Sequence, residues 1–276
     1  MSSEHIVFVG NNKMLSELEG QSVSLTVTSP PYVVTRFEKG QKFDYCGFLR
    51  EFAAVARQVF RVTVPGGTFA LNIADILTKY RYGEGEGLYR IPLGSDLLRL
   101  CQRAGFRLLE RYIWDKGYTR NFGGPLLGSY PYPPTLYNNN YFEYIYVLRK
   151  PGKRRVRQTL REESRISLEE WRSWTQRWWR IESITEKIPY HPSVFPVEIP
   201  YRLIRMYSYA GDVVLDPYLG TGTTMIAAHK AGRRSLGYEI SPECPEWLSM
   251  RIAEQVTKKG LTVPQYEIIK LGGIDG

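Results

Sequence analysis

Two hydrophobic patterns alternate regularly along this chain of 276 residues. Short β-branched runs such as HIVFVG and VSLTVT are typical of strands, whereas FLREFAAVARQVFR, over residues 48–61, has its apolar residues at helical spacing. The strand-like TFALNIA and the helix-like SDLLRLCQRAG continue the alternation. Because strands that alternate with helices of this length build parallel sheets, the pattern predicts an α/β protein with a mostly parallel sheet.

The composition excludes several classes of protein. Hydrophobic residues make up 43% of the chain, which is enough for a sizeable core. No apolar run approaches the ~18 residues of a membrane helix, and the N-terminus has no signal-peptide pattern. The three cysteines are scattered and odd in number, and the three histidines have no clustered metal-ligand spacing. We therefore expect a cytoplasmic protein with no disulfide framework, no metal site and no membrane partner.

The whole chain has a net charge of +9, and the positive charge is concentrated in one segment. Between Arg149 and Arg180 there are eleven Lys/Arg against four Asp/Glu. A local, arginine-rich excess of one sign favours a polyanionic partner over a self-compensated surface, and nucleic acid is the natural candidate. We assign the phosphate contacts to four arginines that open this segment: Arg154, Arg155, Arg157 and Arg161.

The same segment interrupts the alternation of strands and helices. We interpret residues 151–186 as a small inserted region, basic and rich in tryptophan, and residues 1–150 and 187–276 as the main domain. Within the insert, SLEEWRSWTQRWWRI predicts a helix with one apolar stripe that packs on the main domain. The stripe consists of Leu168, Trp171, Trp174, Trp178 and Ile181.

The stretch TSPPY, residues 28–32, follows the second predicted strand. Proline has no backbone donor, so two consecutive prolines end the strand and open a rigid loop. The loop offers the Ser29 hydroxyl, the Pro30 carbonyl and the aromatic ring of Tyr32 from a backbone with little freedom. Such a loop is suited to holding polar acceptors in fixed positions.

A second motif, VVLDPYLGTGTT, reads as a strand, a glycine turn and a helix. Gly220 and Gly222 let the backbone approach a ligand closely, and the helix N-terminus favours polar or negative groups. Glu239 ends the next strand, where a carboxylate accepts from both hydroxyls of a ribose. A nicotinamide-binding unit is the alternative, but Met225 stands where its third glycine is expected. A nucleoside without a pyrophosphate, S-adenosylmethionine, is the better interpretation.

Taken together, these motifs resemble the beta class of S-adenosylmethionine-dependent DNA amino-methyltransferases. VTSPPY is similar to the catalytic motif of that family, and PGGTFALNIAD and HPSVFPVEIPYRLI are similar to flanking motifs. GDVVLDPYLGTGTT and GRRSLGYEIS complete the set in the order of that class. The resemblance implies a Rossmann-like methyltransferase fold with seven strands in a circularly permuted order, in which HIVFVGNN supplies a strand that the C-terminal half lacks.

The resemblance also implies the site residues. Asp216 and the loop Gly220–Thr224 would hold the methionine end of the cofactor, Glu239 the ribose, and Asn11 the adenine edge. The implied cofactor site comprises Asn11, His191, Phe195, Asp216, Pro217, Tyr218, Gly220, Gly222, Thr223, Thr224 and Glu239. The implied catalytic residues are Ser29, Pro30, Pro31 and Tyr32. In the family, SPPY typically accompanies cytosine N4, whereas DPPY or NPPY accompanies adenine N6.

The SPPY motif fits a physical account of amine methylation. An exocyclic amine is a poor nucleophile because its lone pair is delocalised into the ring. Ser29 Oγ and the Pro30 carbonyl would accept its hydrogens, and Tyr32 would stack on a base taken out of the duplex. The expected activity is methylation of cytosine N4 in double-stranded DNA, with adenine N6 as the alternative. RNA methylation, nonenzymatic nucleic-acid binding and a dehydrogenase remain open, as do a homodimer and a cognate restriction endonuclease.

Overall fold

The protein is described here by a computed structural model, which covers residues 4–31, 44–78, 89–117, 142–154, 156–183 and 194–271. Tyr32, Arg155 and His191, all named above, lie outside these described residues. The strands are β1 (His5–Val9), β2 (Val23–Thr28), β3 (Thr63–Ile73), β4 (Ile76–Thr78), β5 (Tyr89–Ile91), β6 (Arg107–Asp115), β7 (Phe142–Arg149), β8 (Trp178–Arg180), β9 (Val213–Asp216), β10 (Arg234–Glu239) and β11 (Tyr266–Lys270). The helices are α1 (Tyr45–Val62), α2 (Leu93–Arg103), α3 (Gln158–Glu163), α4 (Leu168–Trp174), α5 (Glu198–Tyr207), α6 (Thr223–Lys230) and α7 (Cys244–Lys259).

One mixed sheet forms the centre of the fold, in the order β11-β1-β10-β9-β2-β3-β7-β6-β8. All neighbours are parallel except β7, which is antiparallel to both β3 and β6. The predicted α/β class with a mostly parallel sheet is therefore confirmed. The sheet has nine strands instead of the expected seven, because β11 and β8 add a strand at each edge of a seven-stranded centre.

The first strand of the chain lies inside the C-terminal half of the sheet. β1 pairs in parallel with β10 on one side, His5 opposite Ser235, and with β11 on the other, His5 opposite Tyr266. The expectation that HIVFVGNN fills a strand position of the C-terminal half is thereby confirmed. This is the circular permutation that the order of the motifs predicted.

Helices cover both faces of the sheet. On one face, α1 and α2 bury an apolar cluster against β3 and β7, with Phe52, Val55 and Val59 of α1 facing inward as the helical spacing predicted. On the other face, α5 and α6 pack against β2, β9 and β7. α7 covers β1 through Leu248 and Ile252. Within the described residues, no helix combines the length and apolarity needed to cross a membrane.

Residues 64–67, whose sequence is VPGG, form a bulge within β3. Val23 of β2 is opposite Thr63, but Leu25 is opposite Thr68, so residues 64–67 face the single residue between Val23 and Leu25. Gly66 has φ of 77°, a left-handed conformation that glycine adopts at little cost. The strand thus resumes in register for the apolar run that follows.

The Trp-rich stretch differs from its predicted single helix. α4 ends at Trp174, Thr175 Oγ1 donates to the Trp171 carbonyl at 2.7 Å, and β8 then joins the sheet beside β6. Trp174 and Trp179 are buried, whereas Trp171 and Trp178 are 53% and 59% exposed. The predicted helical stripe is therefore wrong, because the helix ends at Trp174 and Trp178 lies on a strand. On that strand Trp178 points to the face opposite to that of the buried Trp179. Residues 151–186, predicted as a separate insert, contribute a strand to the main sheet.

Candidate active site

The residues of the two motifs meet at one edge of the sheet. β2 ends at Thr28, β9 at Asp216 and β10 at Glu239, and all three strands are parallel neighbours or near neighbours. Their carboxyl ends therefore face the same side, which in open α/β sheets is the side where ligands bind. We call this the carboxyl edge, and the opposite side the amino edge.

The glycine loop between β9 and α6 is shaped by two left-handed glycines. Gly220 has φ of 55° and Gly222 has φ of 82°. A Cβ on Gly222 would lie 2.3 Å from Leu248 Cδ1, so a side chain there would collide with α7 as well as strain the backbone. α6 begins directly after this loop, which leaves its first backbone N–H groups directed toward the carboxyl edge.

Asp216 is the buried polar centre of the site, with only 1% of its surface exposed. It accepts hydrogen bonds from Thr28 Oγ1 at 2.5 Å, from Thr224 Oγ1 at 2.6 Å and from the Tyr218 N–H at 3.0 Å. Burial raises the pKa of Asp216 to about 6, although these three hydrogen bonds act in the opposite direction. Three of its four lone-pair positions are used, and one remains for a ligand.

Glu239 holds the glycine loop from the neighbouring strand. Its Oε2 accepts from the Gly220 N–H at 2.9 Å, and its Oε1 accepts from the Ser241 N–H at 3.0 Å. Each carboxylate oxygen can accept a second hydrogen bond, so both remain able to receive a hydroxyl. The side chain predicted for the ribose is thus fixed by the loop itself.

The SPPY loop begins one residue beyond the Thr28 contact with Asp216. Ser29 is half-buried, Pro30 is buried and Pro31 is exposed. Since Thr28 Oγ1 is bonded to Asp216, the start of the SPPY loop is tied to the end of the strand that carries the glycine loop. The structure therefore brings Ser29, Asp216 and Thr224 to one place, as the sequence predicted.

A buried polar group beside Ser29 was missed by sequence reasoning. Asn72, on β3, has its Nδ2 at 3.5 Å from Ser29 Oγ and donates to Glu143 Oε2 at 2.5 Å. Glu143 also forms an ion pair with Lys116. Asn72 is 3% exposed, and its Oδ1 has no partner among the described residues. The available signal was a lone amide within the otherwise apolar run TFALNIA.

The loop after β1 contacts the cofactor loop through a different asparagine from the one expected. Asn11 is exposed, and its Oδ1 accepts from the Lys13 N–H at 2.7 Å. Asn12 instead donates from Nδ2 to the Pro217 carbonyl at 2.5 Å. Phe195 is half-buried against the cluster under α5. The contact of Asn11 with the adenine edge and the place of Phe195 in the cofactor pocket therefore stay predictions, and Asn12 is the residue that joins the two loops.

The arginines assigned to phosphate contact lie at the amino edge. Arg154 forms a two-pronged ion pair with Asp212, at 2.6 and 2.5 Å, and Asp212 directly precedes β9. Asp212 lies about level with Val23 of β2, six residues before Ser29, so the ion pair of Arg154 with Asp212 is roughly 20 Å from Ser29 along the strand direction. Arg154 therefore stabilises the fold through this ion pair, and its contact with a DNA phosphate stays a prediction.

Arg157, the N-cap of α3, and Arg161, in its last turn, are exposed and lie at the same amino edge. The end of α3 is fixed there because Ser164 Oγ accepts from the Ala210 N–H at 2.7 Å, close to the start of β9. Contact of these two arginines with DNA phosphates also stays a prediction. The charge count identified basic residues correctly but gave no information on the edge they occupy.

A different cation lies at the carboxyl edge. β8 runs parallel to β6 and ends at Arg180, which is exposed and close to Gly117 at the end of β6. The exposed indole of Trp178, two residues earlier, is held by its Nε1–H donating to Asp115 Oδ2 at 2.9 Å. An exposed arginine beside a fixed aromatic ring, on the side of Ser29, is a suitable surface for nucleic acid.

Solved structures with the same fold define the class of protein. A protein of Thermus thermophilus, assigned as a DNA modification methylase and solved with S-adenosyl-L-methionine, superposes with a TM-score of 0.77 at 34% identity, covering 98% of this chain and 99% of that one. The cytosine-N4-specific PvuII DNA methyltransferase has the same fold, with a TM-score of 0.66 at 19% identity over 99% and 98% of the two chains. The architecture is that of a methyltransferase.

Sequence comparison then gives the family. Residues 23–250 match the N6/N4 methyltransferase family, whose members are described as DNA methylases, and the chain belongs to this family. The type II methyltransferase M.MthZI of Methanothermobacter thermautotrophicus is 33% identical over 92% of this chain and 78% of its own length. M.MjaI of Methanocaldococcus jannaschii is 32% identical over 95% of each chain. The chain is a DNA methyltransferase.

Proposed function

We propose that this enzyme transfers the methyl group of S-adenosylmethionine to the N4 amine of cytosine in double-stranded DNA. The observation that carries the proposal is the 2.5 Å hydrogen bond from Thr28 to Asp216, which joins the ends of the two strands that lead into the SPPY loop and the glycine loop. A methyl donor in the glycine loop and an amine held by Ser29 would then be neighbours. The cofactor found in the Thermus thermophilus relative supports the choice of donor.

The residues of the glycine loop fit such a cofactor. Thr221 Oγ1 is buried and has no hydrogen-bond partner among the described residues, which is costly unless a ligand supplies one. The free lone pair of Asp216 is suited to the ammonium group of the methionine end, and Glu239 to the ribose. When bound, S-adenosylmethionine supplies an activated methyl group on a sulfonium centre.

The chain's own contribution to the reaction is to hold the amine. Ser29 Oγ and the Pro30 carbonyl accept the two amino hydrogens, which draws the nitrogen toward a tetrahedral shape and frees its lone pair. The two prolines keep both acceptors in position before the base arrives, so little reorganisation is needed in the transition state. Asn72, 3.5 Å from Ser29 Oγ, limits where that hydroxyl can lie. Tyr32 stacks on the extruded base.

The target base is tested directly by product analysis. Labelled methyl transfer to mixed-sequence duplex DNA, followed by digestion to nucleosides, is expected to yield N4-methylcytosine. Ser29 in place of the aspartate or asparagine of DPPY and NPPY favours this product by resemblance. N6-methyladenine instead would support the alternative function on the same fold and would overturn the interpretation of Ser29. Competition with structured RNA separates an RNA substrate from both.

The DNA surface is assigned to the carboxyl edge on the basis of Arg180. Log K falls linearly as log salt rises. We expect Arg180→Gln to make this slope less steep by about 0.9, the value for one lost phosphate contact. The slope is measured from DNA affinity at several salt concentrations. The exposed Arg103, at the amino-edge end of α2, provides a matched control, and Arg103→Gln is expected to leave the slope unchanged.

The same assay tests the predicted phosphate contacts of Arg157 and Arg161. Arg157→Gln combined with Arg161→Gln is expected to leave the slope within error of the unsubstituted enzyme, since both residues lie at the amino edge. If the slope is less steep for this double variant and unchanged for Arg180→Gln, the DNA surface lies at the amino edge, at Arg157 and Arg161.

Two partners remain predictions. Several relatives are named as type II methyltransferases, and we infer by analogy that a cognate endonuclease cleaves the same site. A homodimer is the second prediction, and light scattering coupled to gel filtration measures it directly. A mass close to the 31.9 kDa of one chain at micromolar concentration would contradict the dimer.

A further inference from the structure

Two histidines and a glutamate meet at the amino edge, far from the SPPY loop. Glu4 directly precedes β1, His5 is its first residue, and His229 lies in the last turn of α6. His5 Nε2 and His229 Nδ1 are 3.3 Å apart, and a carboxylate oxygen of Glu4 lies with both inside a span of 4.8 Å. His5 is fully buried, His229 is half-buried and Glu4 is exposed.

The separation of the two ring nitrogens matches a shared metal ion better than a hydrogen bond. Two nitrogens bound to a tetrahedral zinc ion at about 2.0–2.1 Å lie about 3.3–3.4 Å apart. Hydrogen bonds donated by N–H groups are usually about 2.9–3.0 Å long. The observed 3.3 Å therefore equals the spacing of adjacent ligands.

Each histidine also has the outer partner that a metal ligand requires. His229 Nε2 lies 3.0 Å from the Thr262 carbonyl, which can only accept, so that nitrogen carries the proton and Nδ1 has the free lone pair. His5 Nδ1 lies 2.9 Å from Ser235 Oγ, which can accept a hydrogen bond from the Nδ1–H group and leave the lone pair of Nε2 free. Such contacts fix the ring orientation and tautomer of metal-bound histidine.

We propose that His5 Nε2, His229 Nδ1 and the Glu4 carboxylate bind a divalent transition ion, with zinc the best fit, and that water completes the coordination. Two imidazoles and one carboxylate are a donor set that suits zinc. The ion would fasten the start of β1 to α6.

The absence of a metal site expected from the sequence rested on ligand spacing along the chain. His5 and His229 are separated by 224 positions, and only the insertion of β1 beside β10 brings them together. The proposal is independent of the catalytic function, since all three ligands lie at the edge opposite Ser29.

Zinc binding by the full chain tests the proposal. Chelator-treated enzyme is dialysed against zinc chloride in a Cys46→Ser background, which removes the exposed thiol. We expect about one zinc per chain and a rise in the unfolding midpoint of about 5 °C at roughly a hundredfold excess over Kd. Ser235→Ala, which keeps all three ligands but removes the outer partner of His5, is expected to weaken binding ~10-fold.

Ligand variants separate this site from adventitious binding. His229→Gln and Glu4→Gln are each expected to weaken zinc binding by at least ~10-fold, whereas the exposed control Glu163→Gln retains it. Glu4 is exposed, so its variant should fold even if His229→Gln does not. The proposal is overturned if the unsubstituted chain retains no zinc, or if both ligand variants bind zinc as the control does; the histidines are then a hydrogen-bonded pair.

Discussion

Replacing Ser29 by alanine is expected to slow methyl transfer about 100-fold while the affinity for S-adenosylmethionine changes by less than about twofold. The Ser29 hydroxyl would accept from the amine most strongly when the nitrogen becomes tetrahedral, so its loss affects the transition state and not cofactor binding. A 100-fold effect corresponds to about 2.7 kcal/mol of transition-state stabilisation. Single-turnover transfer to duplex DNA and calorimetric titration of the cofactor measure the two quantities separately.

The exposed Ser95, in the first turn of α2, gives a matched control for this substitution. Ser95→Ala removes the same hydroxyl group from a helix surface and should leave the rate and the cofactor affinity unchanged. An unchanged rate for Ser29→Ala would remove Ser29 from the mechanism. A parallel loss of cofactor affinity would mean that the substitution disturbs the Thr28 contact with Asp216, and that Ser29 acts through the loop.

The predictable parts of this fold are those set by patterns among residues that are close together in the sequence. β2 and β9 are short runs rich in β-branched residues, they are followed by SPPY and by the glycine loop, and the two strands are parallel neighbours. Their meeting at one edge follows from strand direction alone. The resemblance implied that HIVFVGNN supplies a strand of the C-terminal half, and the structure places this strand between β10 and β11.

The Trp-rich stretch and the arginines were less predictable, for different reasons. The tryptophans fit helical spacing, but pairing with β6 makes Trp178 and Trp179 strand neighbours, and Trp179 stacks on Tyr112 with ring centroids 4.6 Å apart. Tertiary pairing here overrides a local pattern. For Arg154, the charge was evident, but its partner Asp212 is 58 residues away and becomes a neighbour only through the direction of β7.

Cofactor binding and stability are expected to change in opposite directions when Asp216 is replaced by asparagine. Asparagine keeps the shape and one acceptor oxygen but removes the charge that pairs with the cofactor's ammonium group. We expect the affinity for S-adenosylmethionine to fall about 10- to 100-fold, the range for a lost hydrogen bond to a charged group. Asp44→Asn, at the exposed N-cap of α1, is the matched control and should leave this affinity unchanged.

The stability effect follows from the raised pKa of Asp216. Its folded-state pKa of about 6 exceeds the ordinary value of 3.8, so the folded chain without cofactor binds this proton more tightly than the unfolded chain. The stability that the protonated carboxyl provides is fully present below pH 3.8 and is lost as the pH rises through about 6. Asparagine cannot ionise, so the variant should gain stability over the unsubstituted chain across this interval, by at most about 1.4 kcal/mol per pH unit.

Urea unfolding of both proteins without cofactor, at intervals from pH 4 to pH 7, measures this difference. A difference that grows with pH and levels off above about pH 6 is the expected result. If the difference instead falls with pH, the hydrogen bonds from Thr28, Thr224 and the Tyr218 N–H outweigh burial, and the carboxylate is stabilised in the free enzyme. In the expected case, a buried charge that weakens the empty fold strengthens cofactor binding, because only the cofactor brings the opposite charge into the site.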